Sequence, residues 1–170
     1  LNTRVQEFYG GFKGSLSSHI SYLAKAGMSE YHNMPLFLND SLDGKNFKVI
    51  YESKLNVFNV HGEMSYTQAE QFTATVGLTL RNFKTKQEYR AWGMLPLELN
   101  ADLRWEILKD LWLKAGLWAF DGASYRGLDQ NVRTGSGGVD LNAGLEFRIT
   151  RQLNLWLQMN NIFNNKYQRW

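Results

Sequence analysis

The 170-residue chain contains no cysteine, so it has neither a disulfide framework nor a thiolate for nucleophilic chemistry. It also lacks a run of about 18 apolar residues, which excludes a transmembrane helix. Two prolines and fifteen glycines argue against a disordered or collagen-like chain. The net charge of +3 is small and dispersed, so no nucleic-acid partner is indicated. A β-barrel remains possible, because alternating strands keep the mean hydropathy low.

The chain does have strict alternation of apolar and polar residues, clearest in its last two strand-like runs, 139–149 and 153–163. Apolar residues occupy the odd positions from Val139 to Ile149 and from Leu153 to Met159. Because successive side chains on a strand point to opposite faces, each run has one apolar and one polar face. The three residues between the runs are enough for a tight turn, so the pair is predicted to be a β-hairpin.

The same pattern recurs along the chain and predicts eight strands, at 4–14, 19–32, 47–66, 72–81, 89–107, 111–120, 139–149 and 153–163. Short connections near residues 16, 69, 109 and 151 alternate with long ones at 33–46, 82–88 and 121–138. Within 47–66 the apolar positions change from odd to even, which predicts a β-bulge near Val57 to Asn59. The predicted fold class is all-β: an antiparallel up-and-down meander of about eight strands, part of a transmembrane β-barrel.

Most of these runs reach the length of about 9–11 residues that a transmembrane strand needs. Aromatic residues lie near the strand ends, as in interfacial girdles: Tyr66, Phe72, Tyr89, Trp105, Trp118, Phe120 and Phe163. Three tryptophans fall on the polar face, which disfavours a soluble barrel with that face in water. In a membrane, one set of residues is expected to face lipid and another the interior. The lipid-facing set is Leu97, Leu99, Leu103, Leu113, Leu141, Leu145, Leu155 and Leu157; the inward set is Asn100, Asp102, Arg104, Asn142, Glu146 and Gln158.

No pattern indicates catalysis, a metal site or a cofactor. The three histidines, His19, His32 and His61, are far apart and have no ligand spacing. The charged residues on one face of 98–106 are typical of a salt-bridged lumen wall. Loop serines have no histidine nearby that could complete a hydrolase triad. We therefore expect that the chain is not an enzyme.

One loop, 121–138, is rich in Gly, Ser, Asp and Arg and is the one place where a ligand surface is predicted. Its candidate ligand-binding residues are Tyr125, Arg126, Asp129, Gln130, Asn131 and Arg133. An ordinary solvated loop is the alternative interpretation.

A motif near the end of the chain carries a family resemblance. The segment 161–167, Asn-Ile-Phe-Asn-Asn-Lys-Tyr, resembles the Asn-Leu-Phe-Asp-x-x-Tyr sequence on the next-to-last strand of TonB-dependent outer-membrane receptors. Its matching residues, to which the resemblance gives a structural role, are Asn161, Ile162, Phe163, Asn164 and Tyr167. Ile162 replaces the usual Leu and Asn164 the usual Asp, and the specific resemblance covers about the last thirty residues.

The resemblance implies one β-barrel region over residues 1–170, the carboxy-terminal portion of a larger barrel without its plug domain. It also implies that the closing strand is absent, because the residues alternating with Trp170 are Gln168, Lys166 and Asn164 rather than apolar.

The function implied is import of a bulky nutrient, such as an iron chelate, cobalamin or a glycan, across the bacterial outer membrane. The expected partners are outer-membrane lipid, TonB through upstream segments, and the nutrient. Two alternatives stay open: a self-contained eight-stranded outer-membrane barrel acting as an anchor or adhesin, and a soluble β-barrel that binds a small apolar ligand. An outer-membrane hydrolase and an adhesive β-sandwich are weaker possibilities.

Overall fold

The computed structural model describes residues 2–39 and 46–167, which form ten strands. Their bounds are β1 (Arg4–Ser15), β2 (Ile20–Asn39), β3 (Phe47–Gln68), β4 (Phe72–Thr85), β5 (Leu97–Leu108), β6 (Leu111–Phe120), β7 (Ser124–Arg126), β8 (Val132–Thr134), β9 (Gly138–Arg148) and β10 (Asn154–Met159). Residues 2–39 and 46–167 contain no candidate membrane-spanning helix.

Eight strands form one antiparallel sheet in the order β1-β2-β3-β4-β5-β6-β9-β10, and β7 and β8 form a separate hairpin. The predicted all-β meander is therefore confirmed, with β7–β8 inserted in the connection between β6 and β9. Between residues 2 and 167 no pairing joins β1 to β10, so the described sheet has two free edges. The described strands thus do not close into the self-contained eight-stranded barrel considered above.

The short and long connections lie at opposite ends of the sheet, as predicted. Tight turns at 16–19, 69–71, 109–110 and 149–153 define one end, called here the turn end. The connections after β2, β4 and β6 are long and define the loop end. At two of the turns a non-glycine residue has positive φ: Ala69 at 48° and Asp110 at 63°.

The strand register sorts side chains onto one apolar and one polar face. Directly paired residues lie on the same face, and Leu145 pairs with both Leu113 and Leu157. All eight leucines expected to face lipid share the apolar face, and all six polar residues expected to face inward share the other. The apolar face is open: Phe8 is 77% and Leu157 64% exposed. Such a continuous exposed apolar surface requires a non-aqueous surrounding or a partner.

The buried core lies on the opposite side, at the loop end, where loops fold over the sheet. It consists of three clusters of buried residues: Leu36, Leu38 and Trp92; Leu55, Val57 and Ala91; Leu95, Phe120 and Ala123. Each cluster pairs strand residues with residues from the β4–β5 loop (86–96) or from the segment that follows β6. The loops are thereby fixed against the sheet.

The predicted strand 89–107 is wrong in its first half. β4 continues to Thr85 and β5 begins only at Leu97, so 86–96 form a loop. Ala91, Trp92 and Leu95 are all buried, although in a strand Trp92 would point away from the other two. Gly93 has a φ of 73°, which a turn uses and a strand does not. These loop residues are buried against β2, β3 and the end of β6 with the segment that follows it, not by strand pairing.

The predicted bulge near Val57 to Asn59 is also wrong. The ladders of β3 with β2 and with β4 keep one register through these residues. Val57 is 7% and Phe58 48% exposed, on opposite faces. The apolar positions change phase because a different face of β3 is buried towards the loop end. Phe58 lies on the open apolar face, whereas Val57 lies in the core beneath the loops.

An irregularity does occur nearby, at Asn33 in β2. Asn33 has a φ of 55°, and the ladder skips its pairing with Ser53. The buried positions of β2 change there from odd (Ser29) to even (Leu36). β2 continues through Asn33 to Asn39, although the sequence predicted that a loop begins at residue 33.

Three further boundaries differ from the prediction. The predicted loop 33–46 is strand as far as Asn39, and its residues 40–45 lie outside the described residues, as do 168–170. β10 ends at Met159 rather than Phe163, and the predicted loop 121–138 contains the β7–β8 hairpin.

Part of the expected aromatic girdle is present. At the turn end, Phe72 makes edge contacts with Tyr66 and Trp105, at centroid distances of 5.8 and 6.4 Å. Trp118 and Phe120 do not belong to a girdle, because they lie on the polar face against Tyr167.

Candidate functional site

A buried carboxylate fixes the beginning of the β4–β5 loop. Glu52 of β3 is 0% exposed. Its Oε1 accepts hydrogen bonds from the backbone N–H groups of Lys86 and Gln87 at 3.1 and 3.0 Å, and its Oε2 accepts one from Glu88 at 2.7 Å. The N–H of Lys54 adds a further bond at 3.2 Å. Successive backbone N–H groups that converge in this way bind anions.

Burial alone raises the pKa of the Glu52 carboxyl. The surrounding backbone donors, led by the N–H groups of Glu88 and Lys54, outweigh that effect and lower the pKa below its ordinary value of 4.5. Glu52 is therefore ionised at neutral pH.

Arg126 links the β4–β5 loop to the β7–β8 hairpin. Its guanidinium lies 5.1 Å from the centroid of the Trp92 ring, and its Nη2 lies 3.8 Å from Glu88 Oε2. The Trp92 indole donates to the same Glu88 oxygen at 2.9 Å. The backbone adds a bond from Gly93 N–H to the carbonyl of Ser124, at 3.0 Å. The two loops thus form one connected unit over the polar face.

The tip of the hairpin is held by Asp129. Its carboxylate accepts hydrogen bonds from the side chains of Asn131 and Arg133, both at 2.9 Å. The Asn131 bond and then the Arg133 bond lower the pKa of Asp129 to about 2. Tyr125 and Arg133 face each other across the hairpin. Gln130 has a φ of 62° at the exposed turn.

The structure therefore divides the six predicted ligand residues into two groups. Tyr125, Asp129, Gln130, Asn131 and Arg133 lie together on the hairpin, and Arg126 turns towards the β4–β5 loop. The hairpin presents an aromatic ring, a guanidinium and amide groups to the outside. Such a surface can recognise anionic or hydroxyl-rich molecules through hydrogen bonds.

The motif segment 161–167 leaves the sheet and folds over the polar face. Asn161 has a φ of 48°, and its side-chain oxygen accepts a hydrogen bond from Asn165 N–H at 3.0 Å. Its own N–H donates to Asn142 Oδ1 at 3.0 Å. Tyr167 donates to Asp140 Oδ2 at 3.2 Å. The motif thus caps β9 with specific hydrogen bonds.

Beside the motif, a polar network crosses the sheet at the loop end. Arg81 forms an ion pair with Glu98, whose other carboxylate oxygen accepts a hydrogen bond from the Trp118 indole at 3.3 Å. The Trp118 ring meets the Tyr167 ring edge-on at 5.9 Å. Among residues 2–39 and 46–167, no group of three or more His, Asp or Glu side chains is placed to hold a metal ion.

Sequence reasoning missed Glu52, Glu88 and Trp92, which hold the loops in place. The partners of Glu52 are backbone N–H groups, and these leave no trace in the residue pattern. The one signal in the sequence for these loop contacts was Trp92, a tryptophan on the predicted polar face.

The antiparallel sheet has its long connections at one end, and it has one apolar and one polar face. These features define the class: the chain has the fold of a segment of an outer-membrane receptor barrel. No family model and no curated protein sequence matches the chain. Solved structures do match over almost its whole length. The ferric-catecholate import receptor Fiu of E. coli is 16% identical, with a TM-score of 0.72 over 98% of this chain and 24% of its own.

Two other solved structures give the same picture. The copper transporter OprC is 14% identical, with a TM-score of 0.71 over 98% of this chain and 26% of its own. The pyoverdine receptor FpvA of Pseudomonas aeruginosa is 12% identical, with a TM-score of 0.70 over the same shares. The chain thus spans about a quarter of the length of these structures. They are transporters and receptors rather than enzymes, and the resemblance to TonB-dependent receptors is confirmed at the level of the fold.

Proposed function

We propose that the chain is the carboxy-terminal portion of a TonB-dependent transporter barrel in a bacterial outer membrane. The transporter imports a bulky nutrient, such as an iron chelate, cobalamin or a glycan. The observation that carries this proposal is the match of the complete eight-stranded sheet to import receptors, over 98% of the chain. Sequestering the exposed apolar face in lipid gives it the surrounding that it requires.

In this account each part of the described structure has a role. The β7–β8 hairpin forms part of the external ligand surface, with Tyr125 and Arg133 as contacts. The motif Asn161–Tyr167 is structural and sets the path of the chain after β10. TonB acts on segments outside this chain, and the chain itself does no chemistry.

The soluble-carrier alternative conflicts with the burial pattern. A carrier of a small apolar ligand would bury its leucines, whereas Leu155 and Leu157 are 61% and 64% exposed on the open face. The self-contained eight-stranded barrel would pair β1 with β10, and the described strands show no such pairing.

The test is nutrient uptake by the bacterium whose full-length gene encodes this chain. Cells lacking the gene are complemented with the wild-type gene or with a Tyr125→Ala/Arg133→Ala double variant, and are given radiolabelled ferric chelates, cobalamin or oligosaccharides. We expect one substrate class to require the gene, to require TonB, and to be taken up more slowly by the hairpin variant. A Lys109→Ala/Arg151→Ala variant at the turn end is the control. Unchanged uptake of every substrate class after gene deletion would contradict the proposal.

A further inference from the structure

Near the loop end, a row of cations crosses the open apolar face of β1 to β4. Arg4 of β1 pairs with His32 of β2, which pairs with Lys54 of β3. The N–H of Lys86 donates to the Lys54 carbonyl at 3.1 Å, so Lys86 continues this row beside β3. Lys84, paired with Asn56, lies one row closer to the apolar band. Because directly paired residues share a face, the paired members of this row lie on the open face.

The row carries more positive than negative charge. The carboxylate of Glu30 binds Lys54 Nζ at 2.7 Å and His32 Nε2 at 2.8 Å, and the carboxylate of Glu52 accepts hydrogen bonds from the backbone N–H groups of Lys54 and Lys86. Arg4, Lys84 and Lys86 are exposed. Within the described residues none of these three side chains takes part in an ion pair. Three cations of this row therefore have no ion-pair partner among the described residues.

Directly below this row, the apolar face contains a groove of about 570 Å³ across β1, β2 and β3. Phe8, Met28 and Phe58 line it, and Gly10 and Ala26 leave its floor open. A Cβ atom built at Gly10 would meet no atom within 4 Å. Gln6 lines both this groove and a polar pocket of about 430 Å³ next to Arg4 and His32. The apolar groove and the cationic row are therefore one continuous surface.

We propose that this surface binds one anionic lipid of the outer leaflet. The phosphate groups of its headgroup lie along the row, one near Arg4 on β1 and one near Lys84 and Lys86 beside β3, and an acyl chain lies along the groove floor at Gly10 and Ala26. The charge of the row complements phosphate, and the groove beneath it complements a hydrocarbon chain. The turn end differs, because its border is made of Tyr66, Phe72 and Trp105. This inference rests on the proposed function, since it places the apolar face in the outer membrane.

The test uses the full-length protein in neutral detergent micelles, titrated with diphosphoryl lipid A and followed by native mass spectrometry. The charge variant is Lys84→Gln/Lys86→Gln, matched by Lys109→Gln/Arg151→Gln at the turn end. The groove variant is Gly10→Leu, matched by Gly62→Leu. Gly62 is on the same face but outside the groove, and a Cβ atom there also meets nothing within 4 Å.

We expect the wild-type protein to retain one lipid A saturably. Each lysine near an anionic headgroup strengthens binding about fivefold, so the charge variant should bind roughly 25-fold more weakly. Gly10→Leu should abolish retention, and both control variants should bind like the wild type. Non-saturable retention, or equal losses in the test and control variants, would overturn the inference. The proposed function has its own test, because nutrient uptake that does not depend on the gene would contradict it.

Discussion

Glu52 Oε2 accepts a hydrogen bond of 2.7 Å from the backbone N–H of Glu88, 36 residues further along the chain. This contact joins the loop-end part of β3 to the loop that follows β4. It fixes the loop end of the sheet, because the same loop carries Trp92 into the core.

Replacing Glu52 with Gln removes the charge and turns one acceptor oxygen into a donor that faces N–H groups. Hydrogen bonds to charged groups contribute about 1.5–3 kcal/mol, so the free energy of local opening of the loop should fall by about 2 kcal/mol. Hydrogen exchange of the amides of residues 86–88 measures this. Glu70→Gln, in an exposed turn, is the control and should leave the exchange unchanged. Equal exchange in Glu52→Gln and the wild type would show that the carboxylate does not hold the loop.

The same contact predicts how loop stability depends on pH. Because the folded pKa of Glu52 lies below its ordinary value of 4.5, its contribution is complete above pH 4.5 and is lost as the pH falls through the folded pKa. Protection of the amides of 86–88 in the wild type, relative to Glu52→Gln, should therefore decrease on acidification. A ratio that stays constant down to the pH of global unfolding would contradict this assignment.

The two faces of the sheet predict opposite outcomes for the same introduced charge. Arg in place of Leu145 on the apolar face should cost about 2–4 kcal/mol near the middle of the membrane, and should reduce the amount of assembled protein in outer-membrane fractions. Arg in place of Gln158, on the polar face, should assemble normally. Heat-modifiable mobility on gels, which reports a folded barrel, distinguishes the two variants. Normal assembly of Leu145→Arg would place the apolar face outside lipid.

The motif residue Asn161 should matter more than its neighbour Asn160. Asn161→Ala loses the side-chain bonds to Asn165 and introduces strain at a φ of 48°, so unfolding should become easier by about 1–3 kcal/mol. Asn160→Ala removes only an exposed contact with Gln158 and should change stability little. Urea unfolding in detergent compares the two. Equal stability of the two variants would contradict a structural role of the motif.

The sheet topology was predictable from the sequence because period-two alternation and connection length are local properties of the chain. At 89–96 the alternation predicted a strand that the structure does not have. Trp92 is buried against β2 and Leu95 against the end of β6 and the segment after it, and neither lies in a strand. At Val57 and Phe58 the change of phase predicted a bulge that is absent. The apolar environment moves from one face of β3 to the other there, while the strand pairing remains regular. The Glu52 site was beyond sequence reasoning, since its partners are main-chain groups brought close only by the fold.

Under the proposed function, the sheet spans an outer membrane with its long connections outside the cell. Because these 170 residues contain no cysteine, single cysteines can report accessibility in a full-length protein otherwise free of cysteine. Ser136→Cys lies in the long connection before β9, and Ser18→Cys lies in a tight turn at the opposite end; both positions are exposed. Intact cells are treated with a membrane-impermeant maleimide. We expect the Ser136→Cys variant to be labelled in intact cells and the Ser18→Cys variant to be labelled only after the outer membrane is permeabilised. Labelling of both positions in intact cells, or of neither, would contradict this expectation.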